Sequence, residues 1–134
     1  MLRATLSLLL ILSSSAFAQD TSLQGVWQIS STAYDDEIVD LPKPPQIKIF
    51  TAERVIYTYY IELSEGQAPY LSVGHGAYSY QNGSLTETIE NHSNPELIGE
   101  TFEVEVSVSA DGNTFTQVVD LGKYVLRETW SRVE

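Results

Sequence analysis

The sequence predicts an all-β protein, an antiparallel up-and-down barrel of about eight strands. The first observation is that apolar and polar residues alternate with period two through most of the chain, with almost no helical periodicity. The second is a pair of hairpin signals, Asn82-Gly83 and Asp111-Gly112, between alternating runs. Consecutive hairpins favour a meander, and closing the meander removes exposed edges that promote aggregation. An open sandwich is the alternative arrangement.

The first half of the predicted barrel has three strands and two loops. The strands are residues 24–33, 46–50 and 55–63, in which apolar side chains recur at every second position. Residues 34–45 contain three prolines, which cannot donate to a sheet ladder, among several acidic residues. This segment is therefore predicted as a loop, long enough to cover a barrel mouth. Residues 64–73 include a glycine and a proline and are predicted as a second loop.

The second half of the predicted barrel has five strands, joined mainly by tight turns. Residues 91–99 are the exception, because Asn94-Pro95 makes this connection irregular, with room for one helical turn. The hairpin signals at Asn82-Gly83 and Asp111-Gly112 each separate two alternating runs. The five strands are residues 75–80, 85–90, 101–108, 114–119 and 123–133.

Period two also fixes which side chains of each strand face inward. Leu85 and Ile89 must face the core, so Glu87 between them does too. Leu126 and Trp130 place Glu128 inside by the same argument. The predicted inward side chains are Val55, Tyr57, Tyr59, Ile61, Tyr78, Tyr80, Leu85, Glu87, Ile89, Phe102, Val104, Val106, Val108, Tyr124, Leu126, Glu128, Trp130 and Arg132.

The predicted interior thus holds two carboxylates among several tyrosines. An unpaired buried carboxylate is costly, so it requires hydrogen-bond donors, water or a counter-ion. Tyrosine hydroxyls and Arg132 are the candidate donors. Two interpretations remain open: a polar network inside a filled barrel, or a cavity that accepts a polar or cationic ligand group. The ligand-binding residues predicted by the second are Tyr57, Tyr59, Tyr78, Glu87 and Glu128.

Five segments of the chain follow one another in a recognisable order: residues 23–27, 47–51, 76–80, 85–90 with 92–95, and 128–132. In this order they resemble the calycin group, which includes the lipocalins, fatty-acid-binding proteins and their relatives. The resemblance is closest to small lipocalin-like domains of exported bacterial proteins of unassigned function. It implies that Trp27, in Gly25-Val26-Trp27, closes one end of the barrel and that Arg132 lies across it.

The last strand departs from the fatty-acid-binding pattern. In that family an inward Arg, two residues before an inward Tyr, binds the carboxylate of the fatty acid. Glu128 and Trp130 stand at the matching positions here, so the charge is reversed. The resemblance therefore does not extend to fatty-acid carriage.

The first 18 residues are typical of a bacterial signal peptide. Arg3 precedes an apolar run at residues 6–12, which is too short for a membrane span, and Ala16-Phe17-Ala18 matches a cleavage site. We therefore expect a mature domain at residues 19–134, secreted or periplasmic, with an uncleaved anchor as the alternative. The chain has no cysteine, which excludes disulfides and a lipid-modified cysteine.

The net negative charge of the chain limits the classes of partner that it is expected to bind. Loss of the leader would remove one base, Arg3, and change the net charge from −11 to −12. Such a surface repels nucleic acid and anionic lipid, and favours solubility or cationic partners. Neither nucleic-acid binding nor stable membrane insertion is expected, and the sequence identifies no protein partner.

Catalytic and metal signals are weak. His75 and His92 lack the spacing of a metal site, and no serine stands in a nucleophile elbow. Glu87 and Glu128 could face each other as a hydrolase pair, but nothing else points to an enzyme. The sequence therefore predicts a non-enzymatic, exported barrel, without cofactor or metal, that binds a small, partly apolar ligand. The alternative is a filled barrel acting as an interaction or envelope-associated module, and a third hypothesis is an enzyme on the same barrel.

Overall fold

The computed structural model describes residues 19–61, 66 and 70–134, and these form one antiparallel sheet of nine strands. The predicted leader at residues 1–18 lies outside the described residues. A 3-10 turn at Pro95–Leu97 confirms the helical turn expected in the connection at residues 91–99. The strands are β1 (Gly25–Tyr34), β2 (Glu37–Val39), β3 (Ile47–Phe50), β4 (Arg54–Ile61), β5 (Tyr70–Gln81), β6 (Ser84–His92), β7 (Thr101–Val108), β8 (Thr114–Asp120) and β9 (Val125–Arg132).

The sheet closes on itself, because β1 pairs with β9 as well as with β3. Strands β1 and β3–β9 follow one another around the barrel in chain order, so eight strands form the wall and β2 is an addition. The predicted all-β, eight-stranded, up-and-down barrel is confirmed, and the open sandwich is excluded. In the described part of the chain, no helix has the length and apolar character needed to cross a bilayer.

Strand β2 corrects the prediction that residues 34–45 are entirely loop. It pairs with the end of β1, with Thr32 opposite Val39 and Tyr34 opposite Glu37. Asp35 forms the turn with the following aspartate, and both have left-handed backbones, with φ of 48° and 67°. Positive φ at both central residues is the geometry of a two-residue hairpin turn that matches strand twist. The Asp35 carboxylate also accepts the Val125 N–H at 2.8 Å, which fixes the turn to the start of β9.

Strand β5 begins earlier than predicted. Residues 70–73 were expected in a loop, but Tyr70 pairs with Ile61 and Val73 pairs with Thr58. Of that predicted loop, residues 64, 65 and 67–69 lie outside the described residues, as do residues 62 and 63 of the predicted strand before it. The Asn82-Gly83 hairpin is confirmed, with positive φ at both residues.

One end of the barrel, which we call the closed end, is filled with apolar side chains. Trp27 has no exposed surface, its ring lies 4.7 Å from that of Phe115, and its Nε1 donates to Leu23 O at 2.7 Å. The Arg132 guanidinium stacks 4.1 Å over the Trp27 ring, as the resemblance implies, and donates to Ser22 O and Gly112 O. Phe50, Tyr78 and Tyr80 belong to the same buried cluster.

Gly25 is required for this closure. Its φ is +132°, in the region that L side chains rarely adopt. A Cβ at this position would overlap both the Arg132 guanidinium and the Glu134 carbonyl. The glycine therefore lets the first strand pass directly beneath the arginine that covers Trp27.

Most of the predicted inward side chains face the interior, and two do not. Phe102 is 44% exposed because it lies near the cavity-side end of β7, beyond the core. Tyr124 is 40% exposed because β9 begins one residue later, and its ring packs edge-on against Tyr34 at 4.9 Å. The side chain of Ile61 lies outside the described residues.

Candidate functional site

The opposite end of the barrel, the cavity end, contains a cavity of about 330 Å³ that opens to solvent. An outer cavity of about 400 Å³ adjoins it and shares Tyr34, Gln46, Tyr60 and Glu128 with it. We call the first the barrel cavity. Its aromatic lining consists of Tyr34, Tyr57, Tyr59, Tyr60 and Trp130.

The barrel cavity opens through a gap in the wall. Strand β3 pairs with β4 only as far as Tyr57, so residues 58–61 of β4 have no ladder partner on that side among the described residues. Strand β1 pairs with β2 instead of β3 beyond this level. The segment between β2 and β3 crosses the gap, with Asp40 and Pro42 in the lining of the outer cavity. The segment predicted to cover the mouth therefore lies at the mouth.

A chain of four polar side chains, from four different strands, lines the barrel cavity. Lys48 Nζ lies 2.9 Å from Glu87 Oε1 and 3.4 Å from Gln117 Oε1. Gln117 Nε2 in turn donates to Glu128 Oε2 at 2.7 Å. The counter-ion of Glu87 is therefore Lys48, which corrects the expectation that tyrosine hydroxyls or Arg132 would satisfy it.

Lys48 is central to this polar chain, and the sequence analysis did not assign it to the candidate site. It is only 6% exposed, and its Nζ lies 5.6–5.7 Å from the ring centroids of Phe50, Tyr57 and Trp130. Ring faces attract cations, most strongly where water is excluded. The one available signal was parity, since Lys48 shares a strand face with the large aromatic Phe50.

Glu128 lies where the barrel cavity and the outer cavity meet. Burial raises the pKa of its carboxyl; the Lys48 ammonium and the Trp130 indole oppose the increase, and Glu87 adds to it. Trp130 itself is 2% exposed, and its buried indole N–H interacts with the Glu128 carboxyl, although without normal hydrogen-bond geometry. The two donors that reach Glu128, Gln117 and Trp130, are therefore both neutral, whereas the Lys48 ammonium pairs with Glu87.

The Tyr57 side chain packs over a glycine of the neighbouring strand. It pairs directly with Gly74 of β5, and a Cβ there would overlap the Tyr57 hydroxyl and the His92 ring. The glycine therefore makes room for the phenol. Burial, with a further contribution from the Glu87 charge, raises the pKa of Tyr57 well above its usual range, so the hydroxyl stays protonated.

Tyr59 continues the aromatic wall and is held by a histidine. Its ring stacks on Tyr57 at 6.2 Å, and its Oη lies 3.3 Å from His92 Nε2. His92 Nδ1 accepts the Asn94 backbone N–H at 2.8 Å, so in the neutral ring the proton is on Nε2 and is donated to Tyr59. The irregular connection after β6 thereby positions a wall of the barrel cavity.

Tyr78 is the predicted site residue that lies elsewhere. Its hydroxyl donates to Thr51 O at 2.6 Å, and its ring packs edge-on against Phe50 at 4.9 Å. Both contacts belong to the closed end. The other four predicted site residues line the barrel cavity together: Tyr57, Tyr59, Glu87 and Glu128.

The arrangement can orient a molecule that is apolar on its sides and polar at one end. The tyrosine and tryptophan rings offer flat apolar surface, whereas Glu128 can accept a hydrogen bond or a positive charge. In the part of the chain that the structure describes, no group of three or more His, Asp or Glu side chains is placed to hold a metal ion.

Comparison with known structures supports the barrel architecture. A crystal structure of an uncharacterized protein from Bacteroides eggerthii DSM 20697 matches with a TM-score of 0.53 and 13% identity, over 82% of this chain and 98% of that one. A redesigned β-barrel matches with a TM-score of 0.52 and 15% identity, over 90% of this chain and 100% of that one. At such identities these similarities concern the fold alone.

Comparison of the sequence assigns the family. No curated protein sequence matches the chain. The family model described as "Domain of unknown function (DUF4488)" matches residues 22–134, which include every strand of the barrel, its closed end and its cavity end. The chain therefore belongs to the DUF4488 family.

Proposed function

We propose that this chain is an exported, lipocalin-like binding protein that holds a small, partly apolar molecule in the barrel cavity without catalysing a reaction. The observation that carries the proposal is the cavity itself, about 330 Å³ between aromatic rings. This volume is at the lower end of the range for small-molecule sites, and such sites combine apolar walls with a few polar groups that fix orientation. Export rests on the signal-like residues 1–18.

The division of the barrel supports binding over a filled interaction module. At the closed end, large rings fill the interior and Arg132 covers it. At the cavity end, the wall opens between β2 and β4, and the polar chain ends at Glu128 beside the opening. The lipocalin-like assignment is supported by the stacking of Arg132 on Trp27.

Both carboxylates of the cavity are engaged by protein groups, which favours a binding role over a hydrolytic one. Glu87 is paired with Lys48, and Glu128 accepts a hydrogen bond from Gln117. A retaining or inverting hydrolase would need one free carboxylic acid and one carboxylate, flanking an open cleft for a sugar. A broad hydrolase screen with wild type and Glu87→Gln tests this part, and activity lost in the variant would overturn it.

A fluorescence titration tests the binding proposal. The full chain is expressed with its leader, the exported protein is purified, and N-phenyl-1-naphthylamine, a neutral apolar fluorophore, is added. Saturable enhancement at about one probe per chain is expected, as in a single enclosed site. No saturable enhancement with a folded protein would overturn the proposal and favour an interaction module acting through its surface.

A matched pair of variants on β4 locates the site. Tyr59→Ala removes a ring from the cavity wall, and we expect it to weaken probe binding at least fivefold, on the order of 1 kcal/mol. Ile56→Ala, on the outward face of the same strand, should leave the affinity unchanged. Equal effects of the two variants would place the probe outside the barrel cavity.

A further inference from the structure

The charges that line the barrel cavity do not balance. Two carboxylates, Glu87 and Glu128, face one ammonium group, that of Lys48. Lys48 lies 2.9 Å from Glu87, whereas the hydrogen-bond donor on Glu128 is the neutral amide of Gln117. No further lysine or arginine is among the described residues that line the barrel cavity or the outer cavity. When Glu128 is ionised, its negative charge is therefore left without a cation.

The aromatic lining is suited to a second cation. Lys48 Nζ lies 5.7 Å from the ring centroids of both Tyr57 and Trp130, so these rings already accept positive charge in this fold. Tyr34 and Tyr60 stand beside Glu128 at the junction of the two cavities. A cation at that junction would contact a carboxylate and ring surface together, which is how quaternary ammonium groups are recognised.

The second hydrogen-bond donor near Glu128 is also neutral. The buried Trp130 indole N–H interacts with the Glu128 carboxyl, although without normal hydrogen-bond geometry. Neutral donors satisfy a carboxylate without cancelling its charge. Glu128 therefore has hydrogen-bond partners but no cation in contact with it among the described residues.

We propose, on the basis of the binding function above, that the ligand is an organic cation: an ammonium group on a small apolar body, seated against Glu128 at the mouth of the barrel cavity. The ligand supplies the positive charge that the cavity lacks. Its apolar body lies between the tyrosine rings and Trp130.

The closing experiment compares two ligands of the same shape that differ in charge. (3-Hydroxyphenyl)trimethylammonium is a cation, and 3-tert-butylphenol is its neutral isostere; each carries one hydroxyl group. Both are titrated against purified protein preloaded with N-phenyl-1-naphthylamine, and displacement gives the two affinities. In the wild type, the cation is expected to bind at least tenfold more tightly. Equal or tighter binding of 3-tert-butylphenol would overturn the proposal without any variant.

Two variants assign the preference to its residue. Glu128→Gln keeps the shape and the hydrogen bond from Gln117 but removes the charge, so the tenfold preference should fall to about one. Glu105→Gln, on the exposed face of β7, removes the same charge elsewhere and should leave the preference intact. A preference that survives Glu128→Gln would overturn the role of this carboxylate.

The outcomes separate the two proposals. If the fluorophore binds but the cation has no advantage, or neither isostere displaces it, the cation class is wrong and the binding function stands. If neither the fluorophore nor either isostere binds to the folded protein, the binding function fails and the ligand class fails with it.

Discussion

The two ends of this barrel are built from the same strands but use their inward positions differently. At the closed end the inward side chains are mainly large and apolar, and Trp27 and Arg132 direct their polar atoms to backbone carbonyls. At the cavity end, the same strands carry Lys48, Glu87 and Glu128, joined in a chain that leaves room beside it. Trp130 separates the two, stacked on Phe115 below and facing Lys48 above.

The difference teaches where stability and binding are expected to reside. Dense aromatic packing at one end can stabilise the barrel, because each buried ring removes a large apolar area from water. Polar side chains and a cavity contribute less to stability, because the free-energy cost of removing the charges from water offsets much of the attraction between them. A barrel stabilised at one end can therefore leave the other end free to accept a ligand.

The largest expected effect is the loss of Trp27. Trp27→Ala should lower the free energy of unfolding by about 3–5 kcal/mol, because a fully buried ring is removed from a packed layer. Tyr59→Ala at the cavity end should cost only about 1–2 kcal/mol, since its ring already borders open space. Urea denaturation of both variants gives the comparison. Similar losses in the two would refute the division of the barrel into a stabilising end and a binding end.

The next effect concerns the buried ion pair. Lys48→Met should destabilise the protein by about 3 kcal/mol, because it leaves the Glu87 carboxylate buried without its cation. The double variant Lys48→Met/Glu87→Gln removes both charges and should recover most of that loss. Urea unfolding of the single and double variants measures the coupling. Strict additivity would mean that water, rather than Lys48, satisfies Glu87.

The period-two pattern sufficed to predict most of this structure, and it was insufficient on one short strand. Leu85 and Ile89 flank Glu87, so its inward orientation followed from two clear neighbours. In Ile47–Phe50 both faces carry apolar residues, so alternation could not decide which face Lys48 takes. Its partner Glu87 is 39 positions away in sequence, and that pairing depends on the closed barrel.

Loops and the ends of strands were the other source of error. An Asp-Asp pair adopts the two-residue turn before β2, although Asn-Gly or Asp-Gly is the usual signal, so this hairpin carried no recognisable mark. Tyr78 was placed correctly on the inner face, but parity gives no height along the barrel axis. Its contact with Thr51 sets that height at the closed end.

A pair of tyrosine variants sharpens the comparison at the scale of single hydrogen bonds. Tyr78→Phe should cost about 1 kcal/mol, because it leaves Thr51 O without its 2.6 Å partner, and should not change probe affinity. Tyr59→Phe gives up a longer bond of 3.3 Å to His92, so its cost in stability should be smaller. Urea unfolding and probe titration are run on both. A change of probe affinity in Tyr78→Phe alone would place the site at the closed end.

The smallest expected effect is a pH dependence of the free energy of unfolding, and it should arise from the cavity end alone. Burial raises the pKa of Glu128 above its ordinary value of 4.5, so the folded protein keeps this proton to higher pH than the unfolded chain does. Above about pH 4.5 the folded state therefore binds more protons at this site, and its contribution to stability falls as pH rises through the folded pKa. Glu128→Gln cannot titrate, so it should gain stability relative to wild type as pH rises above about 4.5, until the folded pKa of Glu128 is passed. Glu105→Gln, on the exposed face of β7, should follow the wild type, and an identical slope for Glu128→Gln would mean that the carboxyl is hydrated as in water.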